Sequence, residues 1–510
     1  MTIKMKLYNK IFTLGLVASA MAMTGCSNSF LDIEDPTHTL IGEYMSTDEH
    51  IQEAVVAAYD PLHWPDWAMD EYNPVNIMSD IMADDLWVGG SDANDNANWH
   101  RMMNFEARPN AVIAGLWTDA YSGVKRCNDV LAYIEKEIAG MTPEKKAYYE
   151  AQARVLRVYY YNWLWKFWGN VVYYETNFEG APYLGTQYKA DEVYGFMMAD
   201  LEAALALDAL PMKETAENLG RVTKAMAYML YAEIAMYQND EERMRKSFTY
   251  MKEIIDSGKY ALNPDYTNIF KESGEWTDES IFEVNYKDDN AIRDWDSPLA
   301  AGGTVLPTLI SPNNWPGGTD GHDGGWGFCP VRQETFDRYE DGDTRRDATC
   351  WNAGAVGASY NVRYQDTGLF LEKYCAHTGD NADQKASSEL NWNNNLRIYR
   401  YSETLLNAAE LIVRGYGSGD AQGYLDQVRS RAGVGTIPAS LENITEERHL
   451  EFVGEGKRYW DVVRLGIASQ VLVPDQYGYR TNTWSQKNKY LPIPQSEIDK
   501  AMGTLTQNEY

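Results

Sequence analysis

The sequence predicts a mostly α-helical protein: a superhelical stack of tetratricopeptide-like helix pairs, with a long, loop-rich irregular region that carries short strands. Two observations predict this fold class. Apolar residues recur at helical spacing over residues 41–280 and again over 396–510, and this periodicity breaks down over 281–395. We therefore expect a helix-pair scaffold, a loop-rich region and a C-terminal helical region, joined in one compact domain.

The apolar stripes of the first half have the spacing of helices that bury one face. Two segments place them at i, i+4, i+7 and i+11: Leu156, Tyr160, Trp163, Phe167, and then Ala225, Met229, Ala232, Met236. Stacked helix pairs bury such faces against their neighbours. The strict consensus of the tetratricopeptide repeat is absent, so we predict helix pairs without a fixed repeat length.

The irregular region begins with a strand-like segment and continues in loop-forming residues. Residues 281–286 (IFEVNY) alternate as a β-strand does. The segments 311–318 (SPNNWPGG) and 324–327 (GGWG) combine Gly, Pro and Asn with Trp, and residues 84–99 are similar. Long irregular segments are uncommon as plain connections, and functional residues concentrate in loops on a rigid scaffold. We therefore expect ligand binding in region 281–395.

The composition favours a folded protein that does not bind nucleic acid. Apolar residues make up 44% of the chain and charged residues 24%, as in ordinary globular proteins. The net charge of −30 repels phosphate backbones and anionic lipid surfaces. The 16 Trp and 36 Tyr are numerous, and exposed aromatic side chains are frequent at ligand sites and interfaces.

The first residues predict export and lipid anchoring. Lysines at positions 4, 6 and 10 precede an apolar segment that is too short to span a bilayer. We therefore expect a removable signal peptide over 1–25. The sequence MTGC directly before and including Cys26 resembles a bacterial lipobox, which predicts acylation of Cys26. The polar, acidic residues that follow predict an acylated tether over 26–40.

Motifs in the last part of the chain carry a family resemblance. SusD-like (RagB/SusD) proteins have the signatures LRYAEVLLNYAEA, LNxVRxRAG, ERRxELxFEGxRWxDLxR and LPIPxxEI in that order. This chain resembles each of them, at 396–410 (LRIYRYSETLLNAAE), 425–433 (LDQVRSRAG), 446–464 (EERHLEFVGEGKRYWDVVR) and 490–498 (YLPIPQSEI). Residues 220–225 (GRVTKA) and the Cys26 region are similar to the family as well.

The resemblance implies a nutrient-capture lipoprotein on the extracellular face of the outer membrane. Members of the family bind glycans, and some bind peptides, without hydrolysing them. They act as the lid of a SusC-type TonB-dependent barrel. The resemblance therefore implies an oligosaccharide or polysaccharide ligand, a SusC-like partner, attachment to the membrane through the lipid alone, no cofactor and no catalytic residue.

Charged residues of these motifs are predicted to be structural. Arginines sit among glutamates there, and partly buried pairs of this kind fix helix packing and do not form a catalytic array. The residues concerned are Arg429, Arg431, Arg448, Arg458, Glu403, Glu410, Glu447 and Glu451.

Candidate ligand-binding residues come from loops in which Trp is interleaved with Asp and Asn. Sugars need flat aromatic faces for the C–H groups of their rings and polar side chains for their hydroxyls. The candidates are Trp87, Trp99, Tyr286, Trp295, Trp315, Trp326, Asp85, Asn94, Asn313 and Asn314. Trp64 and Trp67 are placed closer to the helical scaffold.

Two other functions stay open at this stage. A surface glycoside hydrolase would need two carboxylates at a suitable separation, and 75 acidic residues always offer some pair. A binder of peptides or another nutrient also suits acidic, aromatic loops. The metal-protease, serine-hydrolase and P-loop motifs are missing.

Metal and disulfide expectations are modest. Asp92, Asn94 and Asn96 have the oxygen spacing of a calcium loop, but the expected Gly and Glu are missing, so no metal site is predicted. The cysteines after Cys26 form no zinc-type spacing. One disulfide among Cys329, Cys350 and Cys375, or buried free thiols, are both compatible with the sequence.

Overall fold

Helices are the main regular structure of the described chain. The computed structural model describes residues 41–68 and 71–510, so the predicted signal peptide, the Cys26 anchor and the tether lie outside the described residues. The helices of the first half are α1 (Ile41–Tyr44), α2 (Asp48–Tyr59), α3 (Val75–Met82), α4 (Ala97–Met103), α5 (Gly115–Ile134), α6 (Pro143–Trp168), α7 (Ala190–Ala206), α8 (Lys224–Gln238) and α9 (Glu241–Asp256). Those of the second half are α10 (Leu306–Ile310), α11 (Gln333–Phe336), α12 (Arg345–Thr349), α13 (Ala353–Val356), α14 (Tyr401–Val413), α15 (Ala421–Arg431), α16 (Leu441–Phe452), α17 (Arg458–Arg464), α18 (Ala468–Val471) and α19 (Gln495–Lys500). The mostly helical prediction is confirmed.

Consecutive helices of the scaffold pack as pairs. Helix α5 lies against α6, α8 against α9, and α14 against α15. The predicted stripe on α6 is buried, and Tyr160 and Trp163 within it expose 6% or less of their surface. Gly123 lets the Tyr160 ring lie against α5, because a Cβ there would stand 2.4 Å from ring carbon Cδ2. Buried apolar faces therefore determine which helices pair, as the periodicity predicts.

Short paired strands lie at the two ends of the irregular region and within the described chain. The described chain contains antiparallel pairs of β1 (Val171–Val172) with β2 (Gln187–Tyr188), β3 (Ser280–Val284) with β6 (Leu396–Arg400), and β4 (Cys350–Asn352) with β5 (Leu369–Leu371). Strands β3 and β6 stand on either side of the irregular region, with Val284 opposite Leu396. Residues 285–395 therefore leave the helical scaffold and return to it at one place.

Two further findings concern the whole described chain. No helix within 41–68 and 71–510 is both long and apolar enough to cross a membrane. The cysteines of this part are buried free thiols, namely Cys127, Cys329, Cys350 and Cys375. Of the two possibilities that the sequence leaves open, the structure has the buried thiols.

A buried ion cluster joins the C-terminal helices to the irregular region. It consists of Arg345, Arg400, Arg431, Glu279, Glu447, Glu451 and Glu455, whose side chains are all 4% exposed or less. Glu451 is central: its carboxylate oxygens lie 3.1 Å from Arg345 Nη1, 3.0 Å from Arg400 Nη1 and 2.5 Å from Arg431 Nη2. Burial alone would raise the pKa of Glu451, but the three guanidinium groups hold it well below its usual value.

Removing the central charge is expected to destabilise the fold severely. Glu451→Gln leaves three buried arginines short of a partner, so we expect the free energy of unfolding to fall by about 3–5 kcal/mol. Urea unfolding followed by circular dichroism measures this loss. As a control, Lys252→Ala breaks an exposed pair with Asp256 and should change stability by less than about 0.5 kcal/mol. Equal effects of the two substitutions would contradict the assignment.

His449 is charged in the core because acidic residues surround it. Its Nε2 lies 2.5 Å from Asp85 Oδ1, and its Nδ1 lies 3.8 Å from Glu446 Oε2. Burial opposes the charge, but Asp85 and Asp84 outweigh both burial and nearby Arg458 and raise the pKa of His449 to about 9.

This raised pKa predicts that the protein loses stability in mild alkali. The proton on His449 stabilises the folded state fully below the ordinary histidine pKa of about 6.5, and that contribution disappears as the pH rises through about 9. The loss should be on the order of 3 kcal/mol. Unfolding titrations between pH 6 and pH 10 measure it, and His449→Gln should flatten the dependence. An unchanged slope in that variant would contradict the assignment.

Candidate functional site

Four aromatic side chains gather where the irregular region meets the helical half of the chain. Trp67, Tyr72, Trp295 and Trp326, here called the aromatic platform, form a continuous group. The Trp295 and Trp326 rings are inclined by 27° with centroids 5.9 Å apart, Trp67 meets Trp295 at 70°, and Tyr72 meets Trp326 at 67°. Trp295 is 36% exposed and the other three are half-buried. The platform therefore offers apolar ring surface to solvent.

A buried ion pair positions two members of the platform. The Arg293 guanidinium donates to both carboxylate oxygens of Asp66, at 2.9 and 2.7 Å, and to the Trp67 carbonyl at 2.7 Å. Both charged side chains are 4% exposed or less. Asp66 directly precedes Trp67, and Arg293 stands two residues before Trp295. This pair therefore holds the loop that carries Trp295 against the segment that carries Trp67.

Helix α10 and the scaffold position the other two members. The backbone amide of Trp326 donates to the Thr308 carbonyl at 2.7 Å, and the next two amides donate to Ser311 and Leu309. The Tyr72 carbonyl accepts a hydrogen bond from Trp99 Nε1 at 3.1 Å. These contacts fix the backbone at Trp326 and Tyr72 without using either exposed ring.

Charged groups lie beside the aromatic surface. Burial raises the pKa of Tyr72 to about 12, and the nearby carboxylates of Glu389 and Asp95 add to the shift. Arg363 Nη2 lies 3.6 Å from Asp95 Oδ2, and its side chain passes over Gly327, directly after Trp326. Hydrogen-bond donors and acceptors thus stand next to apolar ring faces, the combination that sugar recognition requires.

Of the tryptophans predicted for the site, the structure brings Trp295 and Trp326 together. Three others are core residues. Trp87 is 1% exposed and lies under the Arg332 guanidinium, 3.8 Å from its ring centroid. Trp99 is 3% exposed, and Trp315 is 4% exposed and packs against Trp351. These three rings anchor their segments to the protein and offer no free face.

The predicted Asp85 and Tyr286 also lie away from the platform. Asp85 is buried in the ion pair with His449. Tyr286 is 8% exposed and lines a separate cavity of about 270 Å³, together with Trp64 and the loop 298–303. Neither side chain contributes to the aromatic surface.

The predicted asparagines occupy loops near the platform. Asn313 donates to the Gly325 carbonyl at 3.1 Å and accepts from Asn361 at 2.9 Å, so it supports the loop that carries Trp326. Asn314 beside it is exposed, as is Asn94, whose amide donates to Asp92 in a tight turn. These three stay candidates for contacts with a bound molecule.

Comparisons with known proteins place the chain in a family. The family model described as "SusD family" matches residues 346–510, and the model described as "Starch-binding associating with outer membrane" matches residues 29–236. Surface glycan-binding protein A from Bacteroides thetaiotaomicron, solved in complex with laminarihexaose, is 66% identical with a TM-score of 0.88, over 91% of this chain and 100% of that chain. This chain belongs to the SusD family.

Other SusD-family proteins extend the similarity. Surface glycan-binding protein A from Bacteroides uniformis is 49% identical, with a TM-score of 0.83, over 91% of this chain and 100% of that chain. A SusD-like protein from Bacteroides ovatus is 23% identical over 94% of this chain and 86% of its own length. The resemblance read from the C-terminal motifs is confirmed.

Sequence reasoning missed two members of the platform in this SusD-family chain. Tyr72 carries no local signal, since it follows a turn in the helical half of the chain. Trp67 is not among the predicted binding residues, because its neighbours in the sequence belong to the helical scaffold. The run His63-Trp64-Pro65-Asp66-Trp67 did contain a signal: Pro interrupts helix formation and separates two Trp. A buried Asp before a half-exposed Trp is visible only in three dimensions.

Trp87 is expected to matter for stability and not for binding. Trp87→Ala empties a buried site, so the free energy of unfolding should fall by about 3–5 kcal/mol. Trp295→Ala removes a partly exposed ring and should cost less than about 1 kcal/mol. Thermal and urea unfolding of both variants make the comparison. A Trp87 variant as stable as the wild type would contradict its place in the core.

Proposed function

We propose that this SusD-family protein is a non-catalytic surface glycan-binding protein whose ligand is a β-1,3-glucan of the laminarin type. The aromatic platform carries the proposal, because it combines accessible Trp and Tyr faces with neighbouring charged groups. The complex of the 66% identical relative with laminarihexaose supports the choice of glycan. A second relative, described as a laminarin-binding SusD-like protein, is 26% identical with a TM-score of 0.81.

The geometry of the platform suits a curved glycan. Pyranose rings present C–H groups on their faces, and these pack against indole and phenol rings, while the equatorial hydroxyls need polar partners. The platform is bent, because Trp67 and Tyr72 stand at 70° and 67° to the central pair. A chain of β-1,3-linked glucose turns at each linkage, so successive sugars can face differently inclined rings. Arg363, Asp95 and Glu389 would then meet hydroxyls at the edge.

The same proposal includes the cellular setting implied by the family. Acylation of Cys26 would anchor the protein to the outer membrane on its extracellular face, and the segment 26–40 would act as a tether. The bound glycan would pass to a SusC-like TonB-dependent barrel, for which the protein serves as a lid. The family model described as associating with the outer membrane supports this setting.

Loss of either central tryptophan is expected to weaken glycan binding. Trp295→Ala and Trp326→Ala each remove ring surface that would be buried under a sugar, a change of about 1.5–3 kcal/mol. This change raises the Kd for laminarihexaose about 10- to 150-fold. Isothermal titration calorimetry measures the change. Tyr183→Ala is the matched control, because Tyr183 is 65% exposed and lines a different groove with Trp117 and Glu497. Wild-type affinity in both tryptophan variants would refute the site.

Ligand panels separate the proposed function from its rivals. Laminarihexaose should bind more tightly than maltohexaose, cellohexaose or a set of basic and apolar peptides. Long incubation with laminarin should release no new reducing ends. Preferential binding of peptides would overturn the glycan assignment. Release of new reducing ends by an activity that stays with the protein through purification would overturn the proposal that the protein is non-catalytic.

A further inference from the structure

A second cluster of functional side chains lies in the irregular region, away from the aromatic platform. His322, Glu372, Cys375 and His377 each offer one atom to a common point, and these atoms all lie within 4.8 Å of one another. Three of the residues come from one short segment after β5, with the spacing Glu-x-x-Cys-x-His, and His322 comes from a separate loop. Nothing in the proposed glycan function uses them.

The separations within this cluster match those of metal ligands. In a tetrahedral site with bonds of about 2.0–2.3 Å, neighbouring ligand atoms stand about 3.3–3.8 Å apart. Glu372 Oε2 lies 3.0 Å from His322 Nε2 and 3.6 Å from Cys375 Sγ. His377 Nε2 lies 3.8 Å from both Cys375 Sγ and Glu372 Oε1. All the donor atoms lie within 4.8 Å of one another, so an ion at the centre would draw the wider pairs together.

Hydrogen bonds and stacking hold the donors in place. The backbones at His322 and His377 form an antiparallel bridge, with Asp323 N donating to the Ala376 carbonyl at 2.8 Å and Thr378 N to the Gly321 carbonyl at 3.0 Å. The Trp351 ring stacks on the His322 ring at 3.9 Å. The arrangement is therefore built by two segments that are already locked together.

The carboxylate of the cluster has no permanently charged partner among the described residues. Glu372 lies 3.0 Å from His322 Nε2 and 3.8 Å from His377 Nε2, and it forms no ion pair with a Lys or Arg. The other group of metal-type side chains, Asp84, Asp85 and His449, differs, because Arg458 binds Asp84 at 2.8 Å and supplies permanent positive charge. Cys375 is 1% and His322 6% exposed, while His377 reaches the surface and leaves a route for an ion.

We propose that His322, Glu372, Cys375 and His377 form a structural site for a zinc-like transition-metal cation. Two imidazole nitrogens, a thiolate and a carboxylate are the donor set that Zn²⁺ prefers, whereas Ca²⁺ and Mg²⁺ prefer oxygen donors alone. The ion would fasten the loop with His322 to the segment after β5. That loop continues directly into Trp326, so the metal would stiffen one support of the aromatic platform.

Cobalt substitution and zinc binding test the site in the purified full-length protein after treatment with a chelator. We expect one Zn²⁺ bound per chain by elemental analysis, a higher thermal midpoint with Zn²⁺ but not with Ca²⁺, and a near-ultraviolet thiolate-to-metal absorption band with Co²⁺. Absence of that band in the wild type would overturn the proposal, whatever the variants do.

Matched variants locate the metal. Cys375→Ser should abolish the cobalt band. His377→Asn should weaken zinc binding by about 100-fold, because losing a direct ligand costs at least as much affinity as losing a residue that only hydrogen-bonds to a ligand. Cys127→Ser is the control, since Cys127 is an equally buried thiol in α5 and should keep the band and the affinity. A band that survives in Cys375→Ser but disappears in Cys127→Ser would overturn the proposal. Laminarihexaose titration of the same samples tests the glycan site separately.

Discussion

The carboxylate of Glu451 is the interaction on which the assembly of the molecule depends. It receives Arg345 from the irregular region, Arg400 from the end of β6 and Arg431 from α15, so three distant parts of the chain meet at one side chain. Desolvating so many charges is expensive, and the cost is offset only because nearly every donor finds an acceptor. Such a cluster tolerates one arrangement of its members. It therefore fixes where the irregular region joins the helices.

The pairing of Asp66 with Arg293 repeats this logic on a smaller scale at the aromatic platform. The loop around Trp295 has little apolar surface of its own to bury, and hydrophobic packing alone would leave it free to move. A bidentate buried ion pair, extended by bonds to the carbonyls of Trp67 and Gly303, gives it a single position. A platform held this way would lose little conformational entropy on binding the proposed glycan, which would favour affinity.

The helical scaffold could be predicted from the sequence because burial along α6 follows a local period. The platform could be predicted only in part. Trp295 and Trp326 lie in loops with the composition of a binding site. Trp87 and Trp315 lie in loops of the same composition and Trp99 follows such a loop in α4, yet all three are buried. The composition of a loop shows that it contains aromatic side chains, but it does not show which of them are exposed to solvent. That choice depends on distant partners, such as Arg332 above Trp87 and Arg293 beside Trp67.

The same reasoning explains why the metal-type cluster gave no signal in the sequence. Zinc motifs are recognised when paired ligands stand close along the chain, and here Cys375 and His377 do so, but His322 lies on another loop. Its approach depends on the bridge between the two segments and on the stacking of Trp351. The described cysteines are free thiols, so no disulfide among them joins these two segments, and the proposed cation would cross-link them instead.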